Sequence, residues 1–162
     1  MAVPLQVEVL SVGKLKESYL REAAADYEKR LSRYCRVRVA DVPDVPAPVY
    51  LSPAQVNEVR RTESGLLLQQ APKGARLFAL DLAGKPVSSP GLAEMIGEAE
   101  LDGRPVAFLI GGSHGLSDEC LSGVEKRLSF GQVTFPHGLM RVILLEQIYR
   151  GFKILRGEPY HK

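Results

Sequence analysis

The sequence predicts an α/β fold, a mostly parallel sheet with helices on both faces. Three observations predict it. Strand-like and helix-like segments alternate along the chain. One strand, Val106–Ile110, is apolar without interruption, as a strand covered on both faces is. No internal repeat or low-complexity stretch breaks the alternation. The 162 residues, 45% hydrophobic and 25% charged, fit a single domain spanning 1–162. A chain of this size buries roughly two-thirds of its unfolded surface and needs no disulfide or metal staple.

The elements follow in order. Residues 5–10 alternate at period two and run into Gly13, a first strand. From 17 to 33, Tyr19, Leu20, Ala23, Tyr27 and Leu31 recur at helical spacing. Residues 36–42 alternate again, and the proline-rich stretch 43–48 is a stiff loop that cannot join a central sheet position. Ser52-Pro53 supplies an N-cap with proline at the first helical position, for a helix to about Gln70. Residues 77–82 form a short strand closed by a turn at 83–86. Ser89-Pro90 repeats the cap signal, with Ser89 as the cap, for a helix to about Leu101. After the buried strand comes the glycine-rich loop 111–115. Ser117 then caps a helix whose first turn carries Asp118 and Glu119, favourable for the helix dipole. A short strand is expected at 132–135, ending at Pro136, and a last helix at 139–155. In open parallel sheets ligands bind beyond the carboxyl ends of the strands, so the loops after Leu82, Ile110 and Phe135 are the ones to watch.

Charge is distributed unevenly. Residues 1–38 carry eight Lys or Arg against five Asp or Glu, 39–135 carry eight against twelve, and 136–162 carry five against two. Two basic ends around an acidic middle hint at a polyanionic partner, although the net charge is only +2. No run of about 18 uncharged apolar residues suits a membrane span. The segment 1–8 lacks the pattern of a secretory leader. Cys35 and Cys120, far apart and without CxxC spacing, read as reduced structural thiols of a cytoplasmic protein. His114, His137 and His161 never fall at metal-ligand spacing, so no metal is expected.

Gly111-Gly112-Ser113-His114-Gly115 matches G-x-S-x-G, the nucleophile elbow of serine hydrolases, in the strand–turn–helix context that motif needs. Asp118 and His137 follow in the hydrolase order. Against that reading, Asp118 lies in the first turn of the very next helix and no HGGG-type segment offers an oxyanion hole. The loop is neither a P-loop nor a dinucleotide fingerprint. Adjacent glycines after a buried strand serve either close approach of a ligand to the backbone or a tight packing turn.

The C-terminal third holds the other candidates. His137, in the loop Phe135-Pro136-His137-Gly138 at a helix start, is placed to stay neutral and accept a proton. The last helix is apolar nearly all round, which suits a helix packed on its own sheet and on a second subunit, hence a homodimer. Glu146 and Arg150 form an i,i+4 ion pair, while Arg141, one turn from His137, is the better functional candidate. The ending Arg156-Gly157-Glu158-Pro159-Tyr160-His161-Lys162 suits phosphate contacts and stacking on an unpaired RNA base.

Taken together, Phe108-Leu109-Ile110-Gly111-Gly112-Ser113-His114-Gly115-Leu116, Thr134-Phe135-Pro136-His137, Arg141, Glu146-Gln147-Ile148-Tyr149-Arg150 and Tyr160-His161-Lys162 resemble the SPOUT-class ribosomal RNA large-subunit methyltransferase H family. Val12-Gly13-Lys14-Leu15-Lys16 and Leu80-Asp81-Leu82-Ala83-Gly84-Lys85 fit too, so the likeness covers essentially the whole chain. The resemblance implies S-adenosylmethionine as methyl donor and, as substrate, N3 of a pseudouridine in helix 69 of 23S rRNA within the ribosome. It also implies a homodimer and a C-terminal trefoil knot. It places the donor at Leu80, Gly111 and the segment Phe130, Gly131, Gln132, Val133, Thr134 and Phe135, with Gly112 shaping the same pocket. His137, Arg141, Tyr160 and His161 are then the groups available for chemistry. Either histidine takes the proton, Arg141 holds a phosphate or the base carbonyl, and Tyr160 orders the tail. Two alternatives stay open: a small hydrolase using Ser113, and a catalytically silent RNA-binding module.

Overall fold

Five parallel strands, ordered β2-β1-β4-β3-β5, form one sheet: β1 Gln6–Val12, β2 Arg36–Val42, β3 Arg76–Pro86, β4 Val106–Ile110 and β5 Lys126–Ser129. The computed structural model describes residues 3–162; Met1 and Ala2, where the search for a leader begins, lie outside them. The helices are α1 Ser18–Leu31, α2 Pro53–Gln70, α3 Ser89–Asp102, α4 Asp118–Gly123 and α5 His137–Leu155. Helices α1, α3 and α5 cover one face and α2 and α4 the other, so the predicted architecture is the observed one.

Strand β4 is buried at all five positions because β1 and β3 flank it and helices cover both faces. On one side Val7, Val9, Phe78 and Phe108 meet the α1–α3–α5 layer; on the other Leu10, Ala79, Ala107 and Leu109 meet Leu67 and Cys120. Helix α5 lies between α1 and α3, which accounts for its wide apolar surface: Leu144, Leu145, Ile148 and Phe152 are fully buried within this one chain. It packs tightly on α3 at Gly151, where a Cβ would stand 2.9 Å from Ile96 Cδ1.

Three expectations are corrected. The cap of α3 is Ser88, whose Oγ accepts the Gly91 N–H at 3.0 Å, so Ser89 lies inside the helix. Strand β3 does not stop at Leu82. After an irregularity it resumes, with Lys85 and Pro86 pairing Leu128 and Ser129 of β5. The last strand is 126–129 rather than 132–135. The β3 edge is already occupied by β5, and Gly131, at φ +115°, turns the chain off the sheet, leaving 132–135 as a loop. The α2 cap is a full capping box: Ser52 Oγ accepts Gln55 N–H at 3.2 Å, and Gln55 Oε1 accepts Ser52 N–H at 2.8 Å.

Candidate active site

The irregular stretch of β3 and the carboxyl ends of β4 and β5 open onto a cavity of about 550 Å³, within the size range of small-ligand sites. Three segments wall it: Leu80 to Leu82, the loop 110–116, and the stretch 128–135, with His137 and Met140 from the first turn of α5 closing one side. Of the residues expected to bind a donor, Leu80, Gly111, Gly112, Phe130, Gly131, Val133, Thr134 and Phe135 line this cavity; Gln132 does not. Sequence reading missed Met140 and Ser129. The first was legible as the i+3 neighbour of His137, whereas nothing local marked the second.

Glycine is required in the loop by close approach. A Cβ on Gly111 would stand 2.7 Å from the Gly115 carbonyl carbon, and one on Gly112 would stand 2.9 Å from Glu63 Oε1. Gly115 itself takes φ +82°, and its N–H closes the turn on the Gly112 carbonyl at 3.0 Å. The opposite wall is set by Ser129, whose buried hydroxyl accepts the Gly131 N–H at 3.2 Å and donates to the Gly131 carbonyl at 3.0 Å.

His137 joins the walls. Its Nε2 lies 2.6 Å from the Gly111 carbonyl, an acceptor only, so Nε2 donates to it and Nδ1 is left outside that contact. That contact also disposes of the hydrolase geometry. The ring is committed to a backbone carbonyl, while Ser113 and Asp118 are exposed and make no side-chain hydrogen bond with it among the described residues.

The four catalytic candidates do not converge within one chain. Arg141 is 2% exposed and faces away from the cavity: its Nη2 donates to the Gly13 carbonyl at 2.6 Å, and Nη1 lies 3.7 Å from Asp41. Burial pulls its pKa down and Asp41 opposes that. In this position Arg141 ties the first turn of α5 to the end of β1 and has no open path to a phosphate. Tyr160 and His161 fold back on the far half of α5. The Tyr160 hydroxyl donates to Glu146 at 3.1 Å, its ring meets Tyr149 edge-on at 5.0 Å, and Arg150 lies over it at 4.7 Å. Burial, with the Glu146 carboxylate, pushes the Tyr160 phenol up to about 12, so it remains a donor. Arg150 and His161 Nδ1 are 3.1 Å apart. The rise of α5 from His137 to Glu146 is about 14 Å, so this tail lies well away from its own cavity.

A parallel sheet with a glycine-walled cavity at its carboxyl ends, closed by the start of a C-terminal helix, is the arrangement of the SPOUT-class methyltransferases. The family model described as "Predicted SPOUT methyltransferase" matches residues 5–161. The chain is 50% identical over 159 residues to the ribosomal RNA large subunit methyltransferase H of Carboxydothermus hydrogenoformans, covering 98% of this chain and 100% of that one. It is 45% identical, with the same coverage, to the protein of that name from Listeria monocytogenes serotype 4b. This chain therefore belongs to the ribosomal RNA large subunit methyltransferase H family. Among solved structures, a probable methylase family protein from Haemophilus influenzae Rd KW20 matches 100% of this chain and 72% of its own, with TM-score 0.55 at 12% identity. At that identity the likeness speaks for the fold alone.

Proposed function

We propose that this protein transfers a methyl group from S-adenosylmethionine to N3 of a pseudouridine in helix 69 of 23S rRNA, as a homodimer acting in the cytoplasm on assembled ribosomes. The observation that carries the reading is the cavity. The segments that the family resemblance assigns to the donor, from three separate parts of the chain, enclose one space of about 550 Å³. Its volume suits a small ligand, and the side-chain-free backbone of Gly111 and Gly112 forms part of its wall. Leu80, Leu116 and Phe130 offer apolar walls, and the loop backbone offers polar groups. Bound there, S-adenosylmethionine would supply an electrophilic methyl on a sulfonium.

The chain's own residues must then orient the acceptor base and remove its N3 proton. His137 stands at the cavity with Nδ1 free of the Gly111 contact. His161 cannot reach the cavity of its own chain, so its part in proton removal requires the tail of a second copy. Exposed apolar side chains at this end of the sheet support such a pairing: Tyr19 is 67%, Leu82 59% and Val133 66% exposed. Arg141, buried against Gly13, serves this reading by fixing α5 rather than by touching substrate. The C-terminal trefoil knot of the family belongs to the same proposal. In this reading the dimer and the assembled ribosome supply the target's shape.

The test is transfer of labelled methyl from S-adenosylmethionine to ribosomes lacking the modification, with naked 23S rRNA alongside. Label at the pseudouridine of the ribosomes is expected. Absence of label on both substrates, with folded protein, contradicts the methyltransferase reading and leaves a silent RNA-binding module. Full turnover by His161→Ala removes that histidine from the mechanism.

A further inference from the structure

The glycine loop is held from behind by one face of α2. Arg60, Glu63 and Ser64, at i, i+3 and i+4, point the same way from that helix. Arg60 Nε donates to the His114 carbonyl at 2.5 Å. Ser64 Oγ accepts the Ser117 N–H at 2.9 Å, in a buried contact. Between them Glu63, 3% exposed, presents its carboxylate to the back of Gly112. Glu63 Oε2 accepts the Val45 N–H of the proline-rich loop at 2.9 Å. Glu63 Oε1 has no hydrogen-bond partner and occupies the place where a Gly112 side chain would go, 2.9 Å from the position of a Cβ. Val12 Cγ1 closes the same space at 3.2 Å.

A buried carboxylate oxygen without a partner costs stability. A leucine or methionine would fill the space behind Gly112 without that cost. What the carboxylate adds is a link. One group spans two loops beyond the strands on either side of β1, the proline-rich loop after β2 and the cavity loop after β4, while its neighbours on α2 fix the far end of the cavity loop. We infer that Glu63 is a positioning residue for donor binding: through Val45 and Gly112 it sets the depth of the cavity floor, with Arg60 and Ser64 holding the rest of the loop to the same helix. This rests on the donor reading given under Proposed function, and it concerns residues that touch neither donor nor RNA.

The experiment measures S-adenosylmethionine binding by calorimetry and steady-state kinetics on ribosomes, for the full-length wild type, Glu63→Ala, Glu63→Gln and Val45→Pro. Glu63→Ala is expected to raise the donor Kd and KM tenfold or more, with kcat within twofold and the ribosome KM unmoved. Glu63→Gln keeps the shape and an oxygen for Val45, and is expected to stay within threefold of wild type. Val45→Pro deletes the N–H from a loop position and keeps the test available should Glu63→Ala fail to fold; a three- to tenfold rise in donor Kd is expected. A donor Kd unchanged in Glu63→Ala and Val45→Pro overturns the inference. So does an equal loss in Glu63→Gln, or a fall in kcat with KM unmoved. Wild type that binds no S-adenosylmethionine overturns the donor reading instead, which separates the two failures.

Discussion

At the scale of single residues, the site depends on side chains that are absent as much as on those present. Gly111 has no space for a methyl group, since a Cβ would meet the Gly115 carbonyl carbon at 2.7 Å, and backbone cannot swing aside as a long side chain can. Gly111→Ala is therefore expected to displace the loop, lower donor affinity at least tenfold as measured by calorimetry, and lower the melting temperature. The sequence made this position legible because two adjacent glycines after a buried strand point either to close approach or to a tight turn, and here one residue serves both. Arg141 was not legible in the same way. Its charge and its spacing from His137 suggested contact with substrate, but its destination is set by the Gly13 carbonyl, 128 positions away in the chain. No local pattern encodes such a partner.

At the scale of elements, β5 shows where sequence reading fails and why. Lys126-Arg127-Leu128-Ser129 has neither alternation nor an apolar run, and only the open edge of β3 makes it a strand. The neighbouring stretch 132–135 looked more strand-like and became a cavity wall instead. Strand β5 is fastened by Arg76 of β3, which bonds Glu125 just before it through two nitrogens. Hydrogen bonding to Arg76 holds the Glu125 carboxyl below the ordinary glutamate value of 4.5. A carboxylate depressed by folding stabilises above its unfolded pKa, and that contribution is lost as pH falls through the folded value. Glu125→Gln is expected to remove at most about 1 kcal/mol at pH 7, given the exposure of the pair. Its stability should also fall less steeply than that of wild type below pH 4.5, as read by urea titration across pH. On the opposite face the α3–α5 contact rests on Gly151. Gly151→Val, which drives a branched side chain into Ile96 Cδ1, is expected to cost about 1–3 kcal/mol of unfolding free energy in urea.

At the scale of the whole molecule, strand order and function are linked. The chain crosses from β2 over β1 and β4 to β3, then returns, so β4, β3 and β5 lie side by side and the ends of β4 and β5 flank the irregular stretch of β3. That topology gathers loops from distant parts of the sequence around one cavity. It is why the end of β4 at Ile110 could be named in advance, whereas β3 runs on past Leu82 to Pro86 and the last strand ends at Ser129 rather than Phe135. The apolar surface of α5 suggested a second subunit, yet most of it is consumed by α1 and α3 within one chain. The stronger argument for a pair is the separation of the Tyr160–His161 tail from its own cavity. A crystal structure with S-adenosylmethionine bound decides whether the cavity is the donor site. The donor is expected between the 111–115 loop and residues 130–135, against Leu80 and with His137 beside it. A donor bound elsewhere on the sheet, or a cavity that stays empty at saturating donor, would contradict that assignment.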